Sequence, residues 1–267
     1  CEGKCDYWSH EIKRGKIMLR VTYVWHSCFV VELDHHILVF DYFPKEAVET
    51  VHFEGKMPEL DANKHIYVFA SHSHKDHFSL EVLHWKEKYP KINYIFSKDI
   101  RLGRAYLMRN GIDPAIKKEI QFVSVIEKYE IDDLIVETLR STDAGVAYLV
   151  SVEGQTIYHA GDLHWWNSGM EAELYTKTYG DAYKRELHRI KNRHIDVAFV
   201  VLDPRLGDAY YLGMEYFLKN IDVDVVFPMH LWKQYDLIER FKRRPELVGL
   251  AQKVVSIDRE NIIFDLD

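Results

Sequence analysis

Cysteine is scarce, with Cys1, Cys5 and Cys28 the only three in 267 residues. Cys1-x3-Cys5 has no second pair to join it, so neither a disulfide framework nor a thiolate metal clip is expected. A reduced, cytoplasmic setting follows. Long apolar runs are missing as well: none approaches the roughly 20 residues that span a bilayer. The polar stretch 1–15 lacks the apolar core of a secretory signal. Basic excess is absent, with 35 Lys and Arg against 42 Asp and Glu and a formal charge of −7. Nucleic-acid partners call for a basic face, so none is expected, and neither is a membrane partner. No segment rich in proline, glycine or serine divides the chain, and one domain is expected. Residues 1–17, ahead of Met18 and the first strand-like run, read as an extension or cloning remnant, and 18–267 as the domain proper.

What is present is a regular alternation of short apolar runs and turn signals. Leu19–Trp25, Phe29–Leu33 and Ile37–Phe40 read as strands with tight connections. Pro44 opens a short helical stretch. Ser79–Tyr89 reads as helical with Ser79 as N-cap, Ile92–Phe96 as a strand, and Asp99–Asn110 as a helix stopped by Gly111. The second half repeats the style. Strands are expected at Leu134–Leu139, Val146–Val152, Thr156–His159, Asp196–Leu202 and Val223–Phe227. Helices are expected from about Met170 to Asn192 and at Tyr211–Asn220, Lys233–Arg243 and Glu246–Gln252. Hairpins end at Phe40-Asp41 and at Gly161-Asp162, and apolar strands run into His72 and His230. These echoes predict an α/β chain built in two halves, with two sheets in the middle and helices on both outer faces.

One segment concentrates chemistry. Ser71-His72-Ser73-His74-Lys75-Asp76-His77-Phe78 carries three imidazoles and one carboxylate, and the apolar run His65–Ala70 leads straight into it. Imidazole nitrogen and carboxylate oxygen are the ligands of zinc and similar metals. A strand that delivers them at its carboxyl end puts them where open α/β sheets bind ligands. In extended backbone His72 and His74 project to one side and can reach one ion. Asp76 and His77, at the next turn, can face a second. Asp162 can bridge the two, and His230 can complete the second site. Two cations so held would acidify water to hydroxide near neutral pH.

The ordered pattern His72-x-His74-x-Asp76-His77, then Gly161-Asp162, then His230 after Phe227-Pro228-Met229, resembles the signature of the metallo-β-lactamase superfamily. Trp25-His26-Ser27-Cys28-Phe29 and the Phe40-Asp41 strand end resemble the opening of its ascorbate-6-phosphate-lactonase-like branch. The likeness covers most of the chain from Met18 onward. It implies a four-layer αββα sandwich with two mixed sheets and a dinuclear centre of two divalent ions, zinc first and manganese or iron as alternatives. The metal ligands would be His72, His74, Asp76, His77, Asp162 and His230, with Asp76 and His77 also catalytic. It implies hydrolysis of a small-molecule ester, lactone or phosphoester by hydroxide at the metals. A nuclease or phosphodiesterase of the same superfamily and a degenerate, non-catalytic metal-binding protein are the alternatives. A homo-oligomer is left open.

The chain departs from the family pattern once. Leu139-Arg140-Ser141-Thr142-Asp143-Ala144-Gly145-Val146 has no His where the family usually places another ligand of the first site. Three readings follow: Asp143 takes that place and hardens the site, the site keeps two His and extra water, or it is weak and the protein mononuclear. Four further residues are expected near the centre. Asp41 would orient a ligating imidazole. His26 is either site-proximal or structural. His164 lies in a loop, with Trp165 and Trp166, that could line the pocket. Arg205 would either bind a substrate anion or sit in an ion pair. His159 reads as a satisfied buried His. His10, His35, His36, His52, His65, His84, His188 and His194 read as surface or packing residues.

Overall fold

The computed structural model describes residues 18–167 and 173–266. The expected N-terminal extension, Cys1, Cys5 and the start of the helix placed at Met170 lie outside these residues. Among the described residues thirteen strands form two mixed sheets. The first contains β1 (Leu19–Trp25), β2 (Cys28–Glu32), β3 (His36–Phe40), β4 (His65–Ala70), β5 (Ile92–Ser97) and β6 (Ile120–Val123), with β13 (Ile262–Leu266) outside β1. The second contains β7 (Lys128–Ile131), β8 (Leu134–Arg140), β9 (Val146–Val152), β10 (Gln155–His159), β11 (His194–Val201) and β12 (Asp222–Met229). Each sheet begins antiparallel and continues parallel: β3, β4, β5 and β6 run together, as do β10, β11 and β12. The carboxyl ends of these parallel strands carry the chemistry-bearing loops.

Side-chain alternation sorts the first sheet into two faces. Phe29, Val31, Phe40 and Phe69 point inward and share a cluster with Tyr148, Val150 and Phe199 of the second sheet. The Phe29 and Phe199 rings lie 4.3 Å apart, and the Phe69 and Tyr148 rings 5.2 Å. Val30, Val39, Ile66, Val68 and Phe96 point outward and are covered by Val82, Leu83 and Leu107. On the far side, Met214 and Phe217 of α3 (Leu212–Asn220) join the second sheet, with Phe217 stacked on Tyr158 at 5.3 Å. Two sheets with helices outside make the expected αββα sandwich. Each fully buried large apolar side chain contributes on the order of 2 kcal/mol. At the end remote from the strand-end loops, buried His36 bonds Glu153 at 2.6 Å and Asp133 at 3.0 Å, tying the sheets together.

Several expected elements change. Asp99–Asn110 contributes only a short helix, α1 (Arg104–Arg109), because Ile100 and Leu102 are drawn into the core on non-helical backbone. Ser79 caps as expected, its Oγ accepting from Glu81 N–H, but the helix it opens, Leu80–Glu87, is 3₁₀. The helix expected at Glu246–Gln252 is two 3₁₀ turns separated by Gly249 at φ +80°. The remaining helices are α2 (Glu173–His188) and α4 (Asp236–Lys242). The three strands not anticipated, β6, β7 and β13, are all sheet edges. An edge strand has one neighbour, and these three are only four or five residues long and weakly buried, so no long apolar run marks them. No helix among the described residues is long and apolar enough to cross a membrane.

Candidate metal centre

The carboxyl ends of β3, β4, β10, β11 and β12 meet at one rim, and two groups of metal-binding side chains assemble there. One is His72, His74, Asp143 and Asp162; the other is His26, Asp76, His77 and His230. Six of these eight were expected as ligands. Asp143, a ligand in one of the three readings of the first site, stands in the first group, with Oδ2 3.6 Å from His74 Nδ1. His26, left between site-proximal and structural, stands in the second, with Nε2 3.5 Å from Asp76 Oδ2.

Asp162 lies between the groups. Its Oδ2 is 3.4 Å from His72 Nε2, while Oδ1 is 3.2 Å from His77 Nε2 and 3.5 Å from His230 Nε2. Two left-handed glycines allow this convergence. Gly145, at φ +67°, carries the Asp143 loop against the end of β4. A Cβ there would strike the Ser71 carbonyl oxygen and lie 2.7 Å from His72 Cβ. Gly161, at φ +50°, brings Asp162 in, and its Cβ would lie 2.7 Å from Ser71 Cβ. Only glycine adopts such backbone at no steric cost.

The imidazoles are oriented from behind. Asp41 is fully buried at the end of β3. Its carboxylate accepts from Ser71 N–H at 2.7 Å, Ser71 O–H at 2.6 Å and His77 Nδ1–H at 2.8 Å. Ser71 Oγ in turn accepts from His72 Nδ1–H at 2.9 Å. Asp203, buried after β11, accepts from His230 Nδ1–H at 2.8 Å. With their Nδ1 positions bonded from behind, His72, His77 and His230 all turn Nε2 inward, where a cation competes with a proton for the lone pair. Asp41 thus bonds His77 where an orienting carboxylate was expected. Asp203 was not anticipated as its counterpart, although the signal was present: a carboxylate directly after an apolar parallel strand, as at Asp41.

Burial opposes charge throughout, yet neighbours outweigh it. His77 is held well above the usual histidine range by Asp162 and Asp41 despite its desolvation. Asp162 is held well below the carboxylate range by His77, His230 and His72, against the effect of burial. His26 moves the other way, pushed down to about 3 by burial and by His230.

The remaining expected residues divide. Arg205 does not present a free fork, because Nε and Nη2 engage both oxygens of Asp203 at 2.6 to 3.0 Å and its guanidinium stacks 4.5 Å from the Trp232 ring. Arg205 thus stands in an ion pair, one of its two expected readings. His164 is fully buried, its ring against Gly213 and 5.1 Å from Trp166, so it lies beneath the rim rather than lining it. Trp166 borders the site 6.0 Å from His230, whereas Trp165 packs on Gly180 of α2. His159 is a satisfied core residue, with Nε2–H donating to Ser27 O at 3.0 Å and Nδ1 accepting from Gly161 N–H. His194, expected to lack ligand context, groups with Asp196 and Asp224 at the opposite end of β11 and β12.

Whether these residues suit a cation can be judged from their unmet needs. His77 Nε2 and His230 Nε2 face each other at 3.4 Å, although both Nδ1 protons are committed to carboxylates. Two lone pairs so placed repel unless a cation or a proton comes between them. Asp162 Oδ1 and His26 Nε2 are buried with no hydrogen-bond partner. Buried polar atoms of this kind need an explanation, and an ion is one. The donor set fits divalent metal.

Asp203→Asn is expected to weaken metal at the His230 group by about 10–100-fold, since such a partner fixes the tautomer and raises ligand basicity. Zinc titration against a competing chelator checks this. Unchanged affinity would leave Asp203 only the role of pairing Arg205.

A family model for a β-lactamase superfamily domain matches residues 20–175. A metal-dependent hydrolase of Methanopyrus kandleri is 26% identical over 261 residues, covering 90% of this chain and 97% of the relative. Among solved structures, Igni18, a metallo hydrolase from Ignicoccus hospitalis, is similar with a TM-score of 0.58 at 20% identity, covering 94% of this chain and all of that one. The metallo-β-lactamase fold protein YhfI from Bacillus subtilis is similar with a TM-score of 0.57 at 10% identity, covering 94% and 100%. The domain match over more than half of the sequence, together with the αββα fold, shows that the chain belongs to the metallo-β-lactamase superfamily.

Proposed function

We propose that this chain is a metal-dependent hydrolase that holds two divalent ions and acts on a small-molecule ester, lactone or phosphoester. The observation that carries the reading is the set of inward Nε2 atoms on His72, His77 and His230, locked by Asp41, Ser71 and Asp203, around a buried Asp162 oxygen with no partner. The similarity to a relative named as a metal-dependent hydrolase supports it. His26, His77 and His230 with Asp76 make a nitrogen-rich group suited to zinc. His72 and His74 with Asp143 and Asp162 make a harder group that admits manganese or iron.

Divalent ions held there would supply Lewis acidity and acidify water toward neutral pH. Asp76 is kept ionised, its burial outweighed by His26, His77 and His230. Its carboxylate can therefore accept a hydrogen bond from the attacking water and orient it. Asp41 and Asp203 keep the rings from rotating as charge develops. Trp166 and Trp232 flank His230 and limit water at that side. The acidic balance of the chain weighs against the nuclease alternative, and the complete second group weighs against a degenerate site.

Protein purified without chelators is expected to carry close to two ions per chain by mass spectrometry of the metals. Asp143→Ala is expected to lower that content by removing one group-one ligand. No metal, and no uptake of zinc, manganese or iron, would overturn the proposal. Unchanged stoichiometry in Asp143→Ala would remove Asp143 from the ligand set.

A further inference from the structure

A cavity of about 500 Å³ opens beside Asp143, lined by Lys98, Asp99, Ser124, Arg140 and Ser141 among others. It forms where the ends of β5 and β6 meet the loop between β8 and β9. Asp99 links it to the candidate centre, because its Oδ2 accepts from the backbone N–H of Ser73, between His72 and His74.

The polar groups here keep hydrogen-bonding capacity that they do not use on each other. Several cations of this acidic chain meet carboxylates, half-buried Lys64 with Glu32 and Arg244 with Glu215 and exposed Arg205 with Asp203, whereas Lys98 and Arg140, both exposed at the mouth of the cavity, do not among the described residues. In the cavity, Lys98 Nζ bonds only the neutral Ser124 Oγ, at 2.7 Å, among the described residues. Arg140 is engaged through its backbone N–H, to Glu186, and its guanidinium makes no ion pair among the described residues. Ser141 Oγ accepts from Asp143 N–H at 3.1 Å, which leaves its own proton to donate. Asp99 Oδ1 is buried and without a partner, an acceptor awaiting a donor. Two unpaired cations and a free hydroxyl suit an anion, and one unpaired carboxylate oxygen suits a hydroxyl or ammonium.

We propose that this cavity binds the non-reacting arm of the substrate: a carboxylate or phosphate held by Lys98 and Arg140, on a molecule that also presents a hydroxyl or amine to Asp99. The substrate is then a small anionic compound whose scissile group lies toward Asp143 and Asp162. The placement of the scissile group rests on the hydrolase reading; anion binding in the cavity does not.

The test is calorimetric titration with inorganic phosphate and, separately, malonate, at fixed ionic strength set with sodium chloride. It uses the protein as purified and the variants Lys98→Ala, Arg140→Ala and both together. Metal content and circular dichroism are recorded for each. The expected result is saturable binding of at least one anion, weakened at least about tenfold in the double variant, as loss of charge-assisted bonds predicts. Metal content should stay unchanged. The tighter of the two anions identifies the group. Equal binding in the double variant, or no binding of either anion at millimolar concentration, overturns the proposal. Protein that neither carries nor takes up zinc, manganese or iron, yet binds the anion through Lys98 and Arg140, would sink the hydrolase reading and leave the cavity assignment standing.

Discussion

Asp162→Asn is expected to strip the centre of metal and reduce turnover by about a thousandfold or more, while leaving the fold intact. The substitution keeps the volume but removes the one charge that faces both groups, with His72 on one side and His77 and His230 on the other. Removing one partner from a buried charge arrangement costs about 3–5 kcal/mol, and each 1.4 kcal/mol is about tenfold in affinity. Asp162 is buried at a strand end and holds no core packing of its own, so circular dichroism should be unchanged. His72→Ala should behave alike, since it removes the inward Nε2 of the first group. The checks are metal content by mass spectrometry, which needs no substrate, and then turnover on any ester, lactone or phosphoester found by screening. Full metal content with full activity in either variant would refute the centre described here.

Gly145→Ala should be among the most damaging single-methyl changes in the chain. The residue sits at φ +67°, and a Cβ would collide with the Ser71 carbonyl, a backbone atom that already accepts from Val146 N–H at 3.0 Å. Left-handed backbone alone costs an ordinary residue about 1–2 kcal/mol. The collision cannot be relieved by turning a side chain, and a total of about 3–5 kcal/mol places it among the exceptional cases. At about 2–4 °C per kcal/mol for a domain of this size, the melting temperature should fall by about 10 °C. Gly154 is the control: φ is +76°, but nothing lies within 4 Å of its would-be Cβ. Gly154→Ala should therefore carry only the backbone cost. Equal melting temperatures for the two variants would show that the Asp143 loop does not press on the end of β4. Metal content should fall only in Gly145→Ala, because the same contact places Asp143 beside His74.

Much of this was legible in the chain because it is local. His72, His74, Asp76 and His77 are close in sequence, and a strand followed by a turn leaves few ways to scatter them. Asp41, Asp162 and His230 each directly follow an apolar run, so their placement at a carboxyl rim is a property of strands. Central strands with both faces covered announce themselves by continuous hydrophobicity, as β4 and β11 do. The edge strands β6, β7 and β13 do not, and they were missed for that reason.

Tertiary structure decided what depends on distant partners. That Asp143 faces His74 follows from a loop of the second sheet resting on the end of β4, which Gly145 permits. That Arg205 is occupied, and that Asp203 rather than Arg205 serves His230, is a matter of which carboxylate happens to lie within 3 Å. His26 and His164 occupy similar sequence contexts, yet one reaches Asp76 and the other is sealed against Gly213. The unpaired Lys98 and Arg140 come from different sheets and share a cavity only after the sandwich closes. Residue types and local period fix which side chains can ligate or pair; packing of the two sheets fixes which of them meet.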